Sequence, residues 1–526
     1  MIKNILQVLE MTEQKFPHKV AFGDSKREAT YSEFVKNSKA VGTYICENFK
    51  EKKSAVVIFI DKTVNCLESM MGVVYSGNFY TIIDTNSPRE RAENIIKTLN
   101  PIAIITDSKN ALKLEKLELG KLEENDSIED KKFKKSISEI KIINYDEVVN
   151  TEINQEKLDI VRDIQIDTDP MYILFTSGST GIPKGTILNH RAVITYINWF
   201  KETFKIDENT IFGSQTPFYF SMSISDVFTN MLTGGTLYVI PKINFSFPIN
   251  LLKYMNEKKI NTIYWVPSAL CIVANLGALK DVELPYLKNI LFAGEVMPVK
   301  QLNMWMKALP NCMYANLYGP TETTDICSYY VVDRKFADTE TLPIGKHCNN
   351  CNLVIVKEDG TEAKDGEQGE LYARGSFLAD GYYGNPEKTK AAFVQNPLNT
   401  KYPEIAYKTG DIVKYNEKGE LLYLSRKDYQ IKHMGYRIEL GEIEKNIYAV
   451  DEIILCACIY DEMNAKIVLY YQGNIDENEL AKKIEPLLLP YMRPNKYIKL
   501  NNMPYNSNGK IDRKKLKEMY NKEEEK

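Results

Sequence analysis

The sequence predicts an α/β protein in two parts. Residues 1–427 form a large N-terminal domain of α/β layers plus a β-rich subdomain, and residues 428–526 form a small, mobile α+β C-terminal domain. Three observations predict this. Apolar β-prone runs alternate with helical patterns over most of the chain. The pattern changes near residue 352 to short strands broken by turns. A separate helix–strand–strand–helix unit follows residue 428. The length of 526 residues agrees, because it exceeds what one ordinary core organises.

Taken in order, "SAVVIFI" (54–60) reads as a buried strand and "IAIIT" (102–106) as another, with a helical pattern between them. Such alternation builds a parallel sheet flanked by helices. Residues 110–159 are rich in Lys, Glu, Asp and Asn, with one apolar island at 140–143, and read as a surface excursion. Strands resume at 171–175, 235–240, 262–266 and 289–292. From 352 to 423, turn-rich stretches such as "EDGTEAKDGEQGE" and "YNEKGE" mark the β-rich layer. The last unit reads as a helix from 440 to 447, strands at 453–459 and 466–471, a helix at 477–487, then a lysine-rich end frayed over 521–526. There is no internal repeat.

Hydrophobic content of 44% and charged content of 26% match a globular enzyme, and a net charge of -4 gives no overall basic field for nucleic acid. The N-terminal "MIKNILQVLEMTEQ" is broken by acids and polar residues, and no apolar run is long enough to span a membrane. A cytoplasmic protein is expected. Nine scattered cysteines, an odd number, point to free thiols in a reducing compartment. Cys348 and Cys351 have CxxC spacing with His347 beside them, but zinc needs about four matched ligands. The other close pair, Cys456 and Cys458, is CxC and far away, so a loop entering a strand at 353–356 is the expected reading.

"LFTSGSTGIPKG" (174–185) follows an apolar strand pattern. Gly178, Gly181 and Gly185 allow unusual backbone and close approach of amides to an anion. Thr176, Ser177, Ser179 and Thr180 add small donors, and Lys184 adds a charge. A Walker A loop has glycine before its lysine and Ser/Thr after it, to hold magnesium. Here Pro183 and Gly185 stand in those places, and the proline disfavours a helix starting there. The stretch is built for phosphate, but not in the usual nucleotide-hydrolase manner.

Four further stretches lie downstream: "NLYGPTETT" (316–324), "YKTGD" (407–411), "SRKDYQIKHMGYRIELGEIE" (425–444) and "NSNGKIDRKKL" (506–516). Together with 176–185, in this order and over nearly the whole chain, they resemble the adenylate-forming (AMP-binding) superfamily. "QTPFYFSMSISDVFTNMLTGGTLYVIPK" and "LPYLKNILFAGEVMP" look closest to peptide-synthetase adenylation domains and D-alanine–D-alanyl carrier protein ligases. The resemblance implies an AMP-forming acid–thiol ligase: a carboxylate attacks the α-phosphate of ATP, then a thiol displaces AMP from the acyl-adenylate. It implies ATP and Mg2+ as cofactors. The loop Thr176, Ser177, Gly178, Ser179, Thr180, Gly181 and Lys184 would close over the β- and γ-phosphates, with Gly319 and Leu317 beside the nucleotide. Thr321 would contact the α-phosphate and Glu322 would bind Mg2+, a hard ion that prefers oxygen. Asn316 and Tyr318 would address adenine, the tyrosine by stacking. Asp411 and Arg426 would meet the ribose. Asp428 would be the hinge, and Lys510 would bridge substrate carboxylate and ATP as a mobile point charge.

The acid half departs from the pattern. α-Amino-acid-activating members carry an aspartate after the phenylalanine of an "FD" pair, to hold the substrate ammonium. Here the pair is Phe220–Ser221, and serine brings no charge to a buried ammonium. After "GPTETT", where an apolar residue is common, stands Asp325. One reading is that the acid has moved and holds an amine or phenol further from the carboxylate, as in a β-amino or hydroxyaryl acid. The other is that Asp325 turns outward, or that Ser221 with water suffices for a small α-amino acid. Asp226, one turn beyond Met222, is a weaker stand-in. The resemblance suggests Met222, Ser225, Leu291, Ala293, Gly294 and Leu317 as further pocket positions, mostly small or aliphatic, which points to a compact, partly apolar acid. The chain ends soon after Lys510, so the thiol is expected in trans: a phosphopantetheinyl carrier protein, with coenzyme A as runner-up. Gly435, within "HMGYR", would line the thiol tunnel. No nucleic-acid partner and no membrane insertion are expected. A catalytically silent binding protein of the same fold remains the non-enzyme alternative.

Overall fold

The computed structural model describes residues 2–122, 127–177, 183–338, 340–427, 430–505 and 511–524. Backbone proximity divides the chain into two compact units. The first comprises Met1–Thr85, Ile96–Phe175 and Gly185–Lys427; the second comprises Asn86–Ile95, Thr176–Lys184 and Asp428–Lys526.

The first unit holds two large, mainly parallel sheets. In the seven-stranded sheet, Ala55–Phe59 lies between Phe79–Ile82 and Ala103–Thr106, parallel to both, and Pro170–Thr176 pairs parallel with Phe79–Ile82. In the nine-stranded sheet, Ile211–Ser214 lies between Thr262–Trp265 and Thr236–Val239, and Asn289–Ala293 and Met313–Tyr318 follow in parallel. Strands buried on both faces read as continuous apolar runs, and Ala55–Phe59 is buried throughout. Trp265, fully buried, donates its indole N–H to the Gly213 carbonyl at 2.7 Å, so one side chain both fills the core and ties neighbouring strands.

Residues 110–159 are more than the expected surface excursion. Lys141–Asn144 pairs parallel with Ala103–Thr106 as the edge strand of the seven-stranded sheet, and helix Gln155–Ile164 buries Leu158 and Val161. The strand is exposed on Lys141 and Ile142 and buried on Ile143, the habit of an edge. Its charge-rich flanks hid it.

Two helices carry site residues. His190–Phe204 begins at Asn189, whose side chain accepts from the Ala192 amide, and ends on Lys205 in the left-handed region at φ 55°. Val193, Tyr196, Ile197, Phe200 and Phe204 recur at helical spacing and are all buried. Ser223–Thr233 is buried on nearly every side and stops at Gly234, φ 78°.

A five-stranded antiparallel sheet forms the β-rich layer, with Ile405–Tyr415 paired to Gln368–Gly375, Phe393–Gln395 and Leu421–Arg426. Cys348 and Cys351 enter its strand Cys351–Val356 as buried free thiols, which burial pushes up in pKa and away from reactive thiolate. The second unit contains the hairpin Gln430–His433/Tyr436–Glu439, a sheet of Ile453–Asp461, Lys466–Gly473 and Lys496–Lys499, and helices Leu440–Ile447, Glu477–Ile484 and Arg513–Glu524. Among the described residues no helix is long and apolar enough to cross a membrane.

Candidate functional site

Two buried aspartates organise the site. Asp411 sits on Ile405–Tyr415 in register with Arg426 on Leu421–Arg426. Its Oδ1 accepts from the Arg426 guanidinium at 2.9 Å, and its Oδ2 accepts from the Tyr318 hydroxyl. Arg426 also donates to the Thr409 carbonyl at 3.1 Å. Tyr318 closes the strand Met313–Tyr318, so the antiparallel layer and the parallel sheet meet at one hydrogen-bonded group. Asn316, on the same strand, donates to the Pro343 carbonyl at 2.8 Å.

After Tyr318 the chain folds back on itself. A side chain at Gly319 would put Cβ 2.4 Å from the Asp325 carbonyl oxygen, so only glycine fits. The Cys327 amide donates to the Tyr318 carbonyl at 2.9 Å and closes the loop. At its apex Thr324 adopts φ 68°, ψ -54°, and the Asp325 amide donates to the Thr323 carbonyl at 2.8 Å. This is the rare, strained γ-turn. Thr324 is fully buried and donates its hydroxyl to the Phe377 carbonyl at 2.8 Å, which holds the turn.

The turn aims Asp325 inward. Its Oδ2 accepts from Ser225 at 2.9 Å and from the hydroxyls of Tyr196 and Tyr264 at 3.0 Å each. Burial pushes its pKa up to about 6, against the pull of those hydroxyls and of Ser221. The outward orientation considered above is therefore excluded. Ser221 stands between the halves, 3.4 Å from the Thr321 hydroxyl. Met222 and Ser225 are buried at the start of Ser223–Thr233, and Leu291, Ala293 and Leu317 are buried on neighbouring parallel strands. Gly294 follows with φ 93°. Phe220 bonds back to the Pro217 carbonyl at 3.0 Å.

Glu322 is fully buried and accepts the Tyr382 hydroxyl at 2.7 Å. Among the described residues no three acidic, His or Cys side chains form a metal cage. A magnesium ion held by one carboxylate and by substrate phosphates requires none, so Glu322 fits that role.

Thr176 ends the strand Pro170–Thr176, and Lys184 begins the next, Lys184–Asn189. Strand therefore follows the loop, not helix. Gly185 is a packing residue: a Cβ there would lie 2.7 Å from Ile173 and 2.8 Å from Phe175. Within the second unit, Ser177 donates to the Arg437 carbonyl at 2.7 Å and accepts from the Glu439 amide at 3.1 Å. Gly435 turns the hairpin there at φ 79°. Gly178, Ser179, Thr180, Gly181, Asp428 and Lys510 lie outside the described residues.

Sequence reading missed Tyr196, Tyr264, Tyr382 and Lys62. Tyr196 and Tyr264 sit in apolar patterns that read as core, and Tyr382 sits in a glycine-flanked turn-like stretch. Lys62 carried a usable signal: it follows directly on a buried parallel strand, at the end where such sheets bind ligands.

Comparison with known proteins agrees with this architecture. The family model described as AMP-binding enzyme matches residues 9–383. A D-alanine--D-alanyl carrier protein ligase of Bacillus cytotoxicus is 30% identical over 97% of this chain and 98% of its own, and one of Bacillus cereus is 30% identical over the same shares. The solved Vibrio cholerae adenylation domain AlmE, in complex with glycyl-adenosine-5'-phosphate, superposes with TM-score 0.82 at 20% identity, over 99% of this chain and 98% of that one. PA1221, containing adenylation and PCP domains, superposes with TM-score 0.79 at 20% identity, over 98% and 84%. The mixed α/β fold and the family match over most of the chain define the class as adenylating enzymes. This chain belongs to the AMP-binding enzyme family, and is an adenylate-forming enzyme related to carrier-protein ligases.

Proposed function

We propose that this enzyme activates a small carboxylic or amino acid with ATP as acyl-AMP and transfers it to the pantetheine thiol of a carrier protein. The carboxylate oxygen bonds to the α-phosphorus and pyrophosphate leaves. The thiol sulfur then bonds to the acyl carbon, the phosphate oxygen of AMP leaves, and the thiol proton goes to solvent. The observation that carries this reading is the adjacency of the two halves: the strand and loop that present Tyr318 to Asp411 also present Thr321 to Ser221 and turn Asp325 into its hydroxyl cage. Asp411 and Arg426 would hold the ribose, and Tyr318, bonded to Asp411, would buttress that contact as well as face the base. Glu322 would hold Mg2+, which supplies charge neutralisation at the phosphates. Thr176, Ser177 and Lys184 would flank the phosphates, and Lys510 would bring its charge to both anions. Family members named for carrier-protein ligation support the carrier as acceptor, ahead of coenzyme A.

The substrate reading rests on Asp325. Oriented hydroxyls and burial hold its carboxylate, and Ser221 cannot replace it as a charge. An acid whose amine or phenol lies beyond the α-position would donate to Asp325, as a β-amino or hydroxyaryl acid does. ATP–pyrophosphate exchange over alanine, β-alanine and hydroxybenzoates tests this. Exchange with the last two is expected, and Ser221→Asp should improve alanine. A wild-type preference for alanine would sink the substrate reading and favour a D-alanine ligase proper. Labelling of free coenzyme A alone would overturn the carrier. No exchange with any acid would favour a silent binding protein.

A further inference from the structure

We propose that Lys62 is a positioning residue for the acid half of the reaction, clamping the segment that carries Ser221. This rests on the adenylation reading above.

Lys62 follows the strand Ala55–Phe59 of the seven-stranded sheet. Its Nζ donates to the carbonyl of Ser214 at 2.9 Å, the last residue of Ile211–Ser214 in the nine-stranded sheet. It also lies 5.3 Å from the centre of the Phe218 ring. One side chain thus joins the carboxyl ends of two sheets, at the point where the chain leaves the second sheet for Phe220, Ser221 and Met222. A second tie fixes the same segment: the Tyr219 hydroxyl donates to Asp84 at 2.7 Å. The segment leading to Ser221 is therefore held by anchors that follow strands of a different sheet.

Electrostatics support the clamp. Asp226, on Ser223–Thr233, is 3% exposed, with the Ser214 hydroxyl and the Val227 amide favouring its charged form. Burial raises its pKa while Lys62 opposes the rise; burial lowers Lys62 while Asp226 opposes the fall. Asp325 adds a second negative charge that acts on Asp226, and Tyr264 from Thr262–Trp265 feels both acids. Tyr172 from Pro170–Thr176 and Tyr196 from His190–Phe204 face Asp325 as further hydroxyls. Without Lys62, two buried carboxylates that repel each other would lose the cation acting on Asp226, a change that favours the neutral acid. With it, Lys62 and Asp226 cancel, and Asp325 alone remains to meet a donor on the substrate.

The test measures KM for acid and for ATP by pyrophosphate exchange in wild type, Lys62→Arg, Lys62→Met and Lys62→Met/Asp226→Asn. Lys62→Met is expected to raise the acid KM at least about ten-fold, the scale of one lost hydrogen bond from a charged group, with the ATP KM within about two-fold. Lys62→Arg should recover most of the loss. The double variant should lie closer to wild type than Lys62→Met, because deleting the unbalanced acid relieves it. Soluble yield is scored in the same order, so an insoluble Lys62→Met must be rescued by Asp226→Asn. An unchanged acid KM, an equal rise in both KM values, or a double variant worse than Lys62→Met would overturn the proposal while leaving adenylation intact. Wild type without exchange on any acid would overturn both.

Discussion

Asp411 and Asp325 are both buried and both take tyrosine hydroxyls, yet they are held differently. Asp411 is 3% exposed and has a guanidinium at 2.9 Å. Asp325 is 2% exposed and has three hydroxyls on one oxygen, and burial pushes its pKa up to about 6. The Asp411 group, proposed to hold the ribose, carries its own counter-charge. The acid half holds a carboxylate that hydroxyls stabilise without neutralising. A substrate donor completes it. The difference teaches where specificity would reside on the proposed reading: the ribose site would serve every turnover alike, and the acid site would discriminate by which substrate supplies the missing donor.

The largest effect should come from a residue that serves both halves. Lys510→Ala is expected to lower the exchange rate by about 10²- to 10³-fold, the scale for losing one oriented charge on a transition state. Steady-state exchange measures it, and a fall under about ten-fold would remove Lys510 from the chemistry. Next, the halves should separate kinetically. Asp411→Asn should raise the ATP KM about 10- to 100-fold and spare the acid KM, as loss of a charged hydrogen bond does. Asp325→Asn should do the reverse on a similar scale. A shared effect on both constants would break the comparison.

The smallest effect is on stability and sharpens it. Asp325 has a folded pKa of about 6 against 3.8 for an ordinary aspartate. A raised folded pKa makes the protein relatively more stable below the ordinary value, and that advantage is lost as pH rises through the folded one. Asp325→Asn abolishes this titration. Its stability relative to wild type should therefore grow by up to about 3 kcal/mol between pH 4 and 7. Urea unfolding across that range measures it; parallel curves would mean that the cage fully compensates the charge.

Much of the molecule was legible in the chain. Strands such as Ala55–Phe59 and Thr262–Trp265 announced themselves because a strand buried on both faces must be apolar throughout. The helix Leu440–Ile447 was legible by its spacing. Lys141–Asn144 was not, because an edge strand needs little apolar surface and its neighbours are charged. The substitution of Ser221 for an acid and the presence of Asp325 were also visible, as departures within a recognisable motif.

Sequence by itself determined the family, the order of the motifs and the residue types available to the site. Local patterning carries these, since periodicity and motif spacing are properties of neighbouring residues. Only tertiary structure decided that Asp325 points inward, that Tyr196, Ser225 and Tyr264 converge on it, and that Lys62 from one sheet reaches Ser214 of another. Those partners lie far apart along the chain. Their meeting depends on a strained turn at Thr324 and on how two sheets abut, which no local pattern encodes.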